Sequence, residues 1–216
     1  MADQLILIEG EQKMATDVPM SCTCGKVKGM IRGLSPASTN HVRCPCVGCQ
    51  SYAHYLGRAD DMLDEGGYSN IFQMNPRNFE IHEGHEHLAA VRITKTGPLR
   101  WYTDCCKTPL GNTFPRGGMP FLGVLPICTG FKGTSPEVVE MVGPVRAVGY
   151  EKPPVPFGSK LRTTLMIMRL FTKMMIWRIR EGKSWKPFFD EHSLRPIKKP
   201  ITLTDVEREA LEAKVI

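Results

Sequence analysis

Thiols carry most of the chemistry this chain could do. Seven of its eight cysteines fall into three tight groups. Cys22 and Cys24 flank Thr23 and precede Gly25. Cys44, Cys46 and Cys49 share the run Cys44-Pro45-Cys46-Val47-Gly48-Cys49, and Cys105 and Cys106 are adjacent. Zinc is borderline-soft and accepts tetrahedral thiolate ligation without strain. Two ligands from one tight turn and two from a distant turn is the usual way to close a structural site, and Gly25 and Gly48 let the backbone bend around an ion. Thiols that were merely buried would not need to cluster. Cys128, alone in the apolar run Leu125-Pro126-Ile127-Cys128, reads as such a plain buried thiol.

Seven clustered thiols divide into four and three, which implies two zinc ions. Chain order joins Cys22 and Cys24 to Cys105 and Cys106 as a closed structural site. It leaves Cys44, Cys46 and Cys49 as a three-thiolate site with one position for water or substrate. Three thiolates around one zinc ion carry a net charge of about −1 by counting, so the site is a poorer Lewis acid toward water than a three-histidine zinc. It is better suited to holding an incoming thiol as thiolate. Ligand type alone therefore points to sulfur chemistry rather than hydrolysis. Arg43, beside the second cluster, is placed to meet the carboxylate of an anionic thiol as a bidentate donor.

This reading needs reduced thiols, whereas disulfides need an oxidising compartment. Met1-Ala2-Asp3-Gln4 is acidic, and Leu5-Ile6-Leu7-Ile8 is shorter than the roughly 7–15 apolar residues of a signal peptide. The expectation is a soluble, cytoplasmic protein.

The elements that position the cysteines read as mainly β. Runs at 26–32, 71–74, 88–94, 99–102 and 121–127 are separated by Gly, Pro and Asn. Residues 49–56 suit a short helix leaving the second cluster. Ser135-Pro136-Glu137 reads as a helix start, and Gly143-Pro144 as its end. Residues 149–158, with three prolines, read as an extended linker, followed by a long helix over 160–180. Thr204-Asp205-Val206-Glu207 matches a capping box and predicts a terminal helix to about residue 214. The expected division is an N-terminal segment (1–19), a zinc-binding β domain (20–150) and a basic helical C-terminal extension (151–216). Charge follows that division. Residues 1–150 hold 14 Lys/Arg and 14 Asp/Glu, so residues 151–216 carry the whole net charge of +6.

The pattern C-x-C-G, then R-C-x-C-x-x-C, then a distal cysteine followed by x-T-P, resembles the glutathione-dependent formaldehyde-activating enzyme family, which includes the centromere protein V-like domain. The matching residues are Cys22-Thr23-Cys24-Gly25, Arg43-Cys44-Pro45-Cys46-Val47-Gly48-Cys49 and Cys106-Lys107-Thr108-Pro109. The resemblance covers roughly residues 20–125. It implies a β-tent zinc fold with a structural four-cysteine zinc and a catalytic three-cysteine zinc at Cys44, Cys46 and Cys49. It also implies carbon–sulfur bond making and breaking on a glutathione-type thiol adduct, a lyase-like activity. The family usually has a distal C-x-x-C, and here Thr103 stands at its first cysteine. Cys105 is the expected substitute ligand, which requires a turn or bulge because adjacent strand residues face opposite ways. An uncharacterised bacterial branch with adjacent distal cysteines is similar further, through Arg100-Trp101-Tyr102, Gly111-Asn112-Thr113 and the basic C-terminal helix.

His82, His85 and His87 suit an exposed hairpin turn better than a further metal site. His54 follows Cys49 by five residues, reads first as a solvated or capping histidine, and would be the cap if the second zinc were purely structural. In the helix over 160–180, Arg162, Arg169, Lys173 and Arg180 form one basic stripe beside an apolar arc. The expectation is packing on the β domain or in a homodimer with the stripe solvated. An anionic membrane surface is the second reading, and no nucleic-acid partner is expected. The alternatives to an enzyme are a non-catalytic zinc-binding interaction module and a peripheral membrane-associated factor.

Overall fold

The computed structural model describes residues 15–131, 134–149, 156–182 and 186–216. In chain order they form β1 (Thr16–Ser21), β2 (Lys28–Leu34), β3 (Asn40–Cys44), α1 (Val47–Tyr55), α2 (Ala59–Met62), β4 (Ser69–Met74), β5 (Phe79–Glu83) and β6 (Leu88–Arg92). Then follow β7 (Leu99–Thr103), β8 (Pro109–Thr113), β9 (Leu122–Val124), α3 (Pro136–Val142), β10 (Ala147–Val148), α4 (Phe157–Glu181), β11 (Ile201–Thr202) and α5 (Asp205–Glu212). The protein is therefore mainly β with a long C-terminal helix, as the spacing of turn residues predicts.

Two sheets result. The smaller is antiparallel with order β1-β2-β5, and the larger has order β10-β3-β4-β9-β8-β7-β6-β11. Its two edge strands, β10 and β11, pair in parallel with β3 and β6, while the inner pairs are antiparallel. One face of the large sheet packs on the small sheet. There Val18, Met20, Ile31 and Phe79 meet Phe72, Leu99, Trp101 and Val124. The other face is covered by α1 and α2, with Tyr52, Ala53 and Leu56 against Ile71, Val91 and Tyr102. With both faces covered, β7 is buried at every position. Successive strand residues point to opposite faces, so Leu99 and Trp101 enter the first core and Tyr102 the second.

Several boundaries differ from expectation for local reasons. The run at 121–127 stops as a strand at Val124 because Pro126 opens a 3-10 turn over Pro126–Thr129. Pro has no N–H for a ladder. The linker falls largely on residues 150–155, outside the described residues. The long helix extends beyond 160–180 at both ends. Its basic stripe is not wholly solvated. Arg169 donates to Asn40 Oδ1 and to the carbonyls of Pro36 and Ala37, and Lys173 donates to Ala37 O. The capping box at Thr204 and Glu207 forms as predicted.

The C-terminal residues share the cores of the β sheets. Phe188 is fully buried and stacks on Trp101 at 4.7 Å between ring centroids, while Leu203 joins the second core. A boundary at residue 150 therefore crosses a common core. Phe188→Ala is expected to lower stability by about 3–5 kcal/mol in urea unfolding. A loss below about 1 kcal/mol would mean that the C-terminal segment contributes nothing to the core.

Candidate metal centres

The first cluster is built by two turns, one at the end of each sheet. β1 delivers Cys22 and Cys24 into a turn whose Gly25 has φ +76°, a left-handed conformation that glycine adopts without a steric cost. Inside it the Gly25 N–H donates to Cys22 O at 2.9 Å, and the Val27 N–H donates to Cys22 Sγ at 3.2 Å. β7 ends at Thr103, and a turn over residues 104–107, with Lys107 at φ +56°, delivers Cys105 and Cys106. A register shift also lies between Trp101 and Tyr102. The backbone irregularity demanded by adjacent cysteine ligands is thus present.

Sulfur separations in this cluster are 3.5 Å for Cys22–Cys24, 3.4 Å for Cys24–Cys105, 3.9 Å for Cys22–Cys105 and 3.8 Å for Cys105–Cys106. Metal–sulfur bonds of about 2.3 Å in a tetrahedron place sulfurs about 3.8 Å apart. Four soft donors at that spacing fit a tetrahedral ion. The surrounding polar groups tie the two turns together. The Thr108 hydroxyl accepts from the Thr23 N–H at 2.9 Å and lies 3.1 Å from Cys106 Sγ. Arg58 donates to Thr23 Oγ1 at 3.1 Å. Burial pushes the Cys105 thiol up to about 12. Burial also works to raise Cys106, but hydrogen bonds from the Thr103 and Thr108 hydroxyls and from the Cys24 backbone and thiol together bring it down to about 5.

The second cluster lies where β3 passes into α1. Cys44 is the last residue of β3, Cys46 precedes the first turn of α1, and Cys49 sits within that turn. The N–H groups of Cys49 and Gln50 donate to Cys46 O at 2.9 and 3.2 Å. The positive end of the helix dipole therefore meets the sulfurs, which favours thiolate. The three sulfurs lie within 4.8 Å of one another, and among the described residues no fourth Cys, His, Asp or Glu joins them. Cys44 and Cys49 are buried and Cys46 is half-buried.

Arg100, noted in the sequence only as part of Arg100-Trp101-Tyr102, is the charged residue that the structure places beside the second cluster. It projects from β7 toward α1, is only 5% exposed, and donates to Cys49 Sγ at 3.9 Å and to Asn112 Oδ1 at 3.3 Å. Its guanidinium lies over the Tyr52 ring at 5.2 Å, and a Cβ at Gly48 would meet it at 2.9 Å. Its Nε has no hydrogen-bond partner and, among the described residues, no carboxylate pairs with it. A buried cation without a counter-charge costs several kcal/mol, and negative charge on the Cys49 sulfur beside it would offset that cost. The Cys44 and Cys46 thiols, and then Arg100, hold Cys49 well below the usual thiol range against the effect of burial. Hydrogen bonds with Cys46 and Cys49 push Cys44 far upward. The sequence signal was a lone arginine between apolar residues of a strand. Arg100 and Asn112 are cross-strand partners, as are Trp101 and Gly111.

Among the other candidate ligands, only His87 comes near a cluster. Arg43 is ion-paired with Asp64 and lies over the Tyr68 ring at 4.4 Å, so its carboxylate partner already belongs to the chain. His54 is on α1 as expected but outside ligand range of the three sulfurs. His82 contacts Glu80 and His87 contacts Asp104, so the three histidines do not converge, but the ligand atoms of His87 and Asp104 lie within 4.8 Å of each other and of the Cys105 sulfur, at the edge of the first cluster. Cys128 is buried, donates to Leu125 O at 3.2 Å and joins no cluster, and burial raises its thiol to about 12.

Two cysteine clusters with metal-ligand spacing on a mainly β scaffold define the class: a cysteine-cluster protein compatible with metal binding. The chain belongs to a family of unknown function, DUF6151, whose model matches residues 14–189 and so takes in every clustered cysteine. No curated protein matches it. A crystal structure of a Rhodobacter sphaeroides protein is similar at 16% identity, with a TM-score of 0.34, over 56% of this chain and 94% of that one.

The two clusters differ in what they hold together. The first joins two sheets, and a metal bound there would contribute on the order of 10 kcal/mol to folding; the second lies within one strand–helix unit. Cys22→Ser and Cys106→Ser are expected to lower the melting temperature much more than Cys46→Ser, by differential scanning calorimetry. Equal losses would show that the second cluster is as structural as the first.

Proposed function

We propose that the chain is a two-zinc protein in which Cys22, Cys24, Cys105 and Cys106 hold a structural ion, and Cys44, Cys46 and Cys49 hold an ion with an open position for a thiol. The observation that carries this reading is the three-sulfur cluster with no fourth protein ligand among the described residues, set beside the buried Arg100. Zinc bound there would supply Lewis acidity that keeps an incoming thiol as thiolate.

The chain's own residues favour that role. By counting, three thiolates and one zinc ion carry about −1, and Arg100 brings the site to about zero. A fourth thiolate then leaves about −1 instead of about −2, so the guanidinium lowers the electrostatic cost of taking an anionic thiol. Cys46, the half-buried ligand, marks the side from which solvent reaches the sulfurs. The reaction class that fits is reversible addition of a thiol to a carbonyl. The carbon–sulfur bond forms, the carbon–oxygen double bond becomes a single bond, and the thiol proton passes to that oxygen, with no redox change. The resemblance in cysteine pattern supports a glutathione-type adduct as substrate, and hence a zinc-dependent carbon–sulfur lyase-like enzyme. Arg43, already paired with Asp64, is a weaker candidate for gripping the thiol's carboxylate than the sequence suggested.

Calorimetric titration of the metal-loaded chain with glutathione tests this. Binding is expected to require metal, to vanish in Cys46→Ser, and to weaken about tenfold or more in Arg100→Met with both ions retained. Arg100→Lys, which keeps the charge, should recover part of the affinity. A chain that holds both ions and binds no thiol would leave the non-catalytic zinc module as the function.

A further inference from the structure

α4 departs from an ordinary surface helix. A helix docked on a globular domain turns its apolar face inward and its charges outward. Here four charged groups turn toward the domain and only Lys160, Arg162 and Arg180 stay exposed. Arg169 and Lys173 donate to backbone carbonyls of residues 36 and 37, Arg178 donates to Gly118 O, and Glu181, the helix's one acid, accepts from Asn75 Nδ2. Only Met166 and Met174 are buried beneath it. The outward side is a strip of Leu161, Leu165, Met168, Phe171, Met175 and Ile179, from 48% to 77% exposed. Its two hydroxyls are already satisfied within the helix, Thr164 by Lys160 O and Thr172 by Met168 O, each at 2.9 Å. Nothing on this strip needs water.

Charge decides what covers it. At about 100° per residue, Lys160 lies on one shoulder of the strip, and Arg162 and Arg180 lie on the other, at the boundary with the domain on the same stripe as Arg169 and Lys173; all three are exposed. No acid shares the outward side, because Glu181 is engaged by Asn75 and Arg77. A second copy laid helix to helix along the strip would bring cationic shoulders together with no free carboxylate of α4 to pair them. A nucleic acid would meet an uncharged strip. An anionic lipid surface fits both parts: the apolar strip enters the headgroup–acyl boundary while the flanking cations meet headgroups. No helix among the described residues is long and apolar enough to cross a membrane, so this contact lies in the membrane plane.

We infer that α4 is a membrane-docking helix which holds the β domain against an anionic bilayer surface by its outward apolar strip. The inference is independent of the thiol chemistry. The test is flotation of the full, metal-loaded chain with vesicles of phosphatidylcholine alone or mixed with phosphatidylserine. The expected result is recovery with the anionic vesicles at least tenfold above the neutral ones, falling as salt is raised. Arg162→Ala with Arg180→Ala should lower partitioning roughly tenfold or more, and Leu165→Ser with Phe171→Ser should abolish it. All four positions are outward-facing or flanking, so melting temperature and metal content should be unchanged. Equal recovery with neutral vesicles, or no recovery with either, would overturn the inference. So would a concentration-dependent dimer in analytical ultracentrifugation that Leu165→Ser with Phe171→Ser dissolves, since that would assign the strip to a second copy.

Discussion

Four sulfur atoms carried by two different sheets meet within 4.8 Å of one another, and the placement of everything else depends on that meeting. Cys22 and Cys24 follow a strand of the small sheet, while Cys105 and Cys106 follow β7 of the large one. Thiol–thiol contacts alone are weak, whereas a shared metal ion would convert four soft donors into a cross-link on the order of 10 kcal/mol. The hydrogen bonds around it, from Thr23 to Thr108 and from Arg58 to Thr23, hold the same two turns together.

β7 transmits this constraint to the second cluster. Its end bears the turn with Cys105 and Cys106. Its middle alternates Trp101, buried in the core against Phe188, with Arg100, aimed at Cys49. Tyr52 on α1 closes the link by donating to Trp101 O at 2.8 Å. The helix that carries Cys49 is therefore bonded to the strand that supplies its counter-charge. Moving β7 by one residue would exchange the two faces, placing Arg100 in the apolar core and Trp101 against the thiols.

Both cysteine clusters were legible in the sequence because metal ligation imposes short, local spacings that survive any fold. The capping box at Thr204 and the helix from residue 157 were legible for the same reason, since caps and helical periodicity are local. Arg100 was not, because a buried cation is recognisable only once its neighbours across space are known. The short strands β1, β3, β5, β8, β10 and β11 also escaped. β1 contains Pro19 and β8 begins with Pro109, and both are compatible with strand only because Pro19 sits in an edge strand and Pro109 at a strand start. Reading the basic stripe of α4 as solvated holds for Arg162 and Arg180 but not for Arg169 and Lys173, for a related reason. Amphipathicity tells which residues share a face, not which face meets the protein, and carbonyls at residues 36 and 37 drew Arg169 and Lys173 inward.

The two proposed ions differ in one countable property, the number of sulfurs around each. Zinc-edge X-ray absorption on the full chain, purified without chelator and analysed for metal content, counts them directly. About two ions per chain, with a shell of sulfur near 2.3 Å averaging between three and four sulfurs per ion, is the result expected for one closed and one open site. A single ion per chain, or a full four-sulfur shell around each of two, would contradict the open three-cysteine centre on which the proposed thiol chemistry rests.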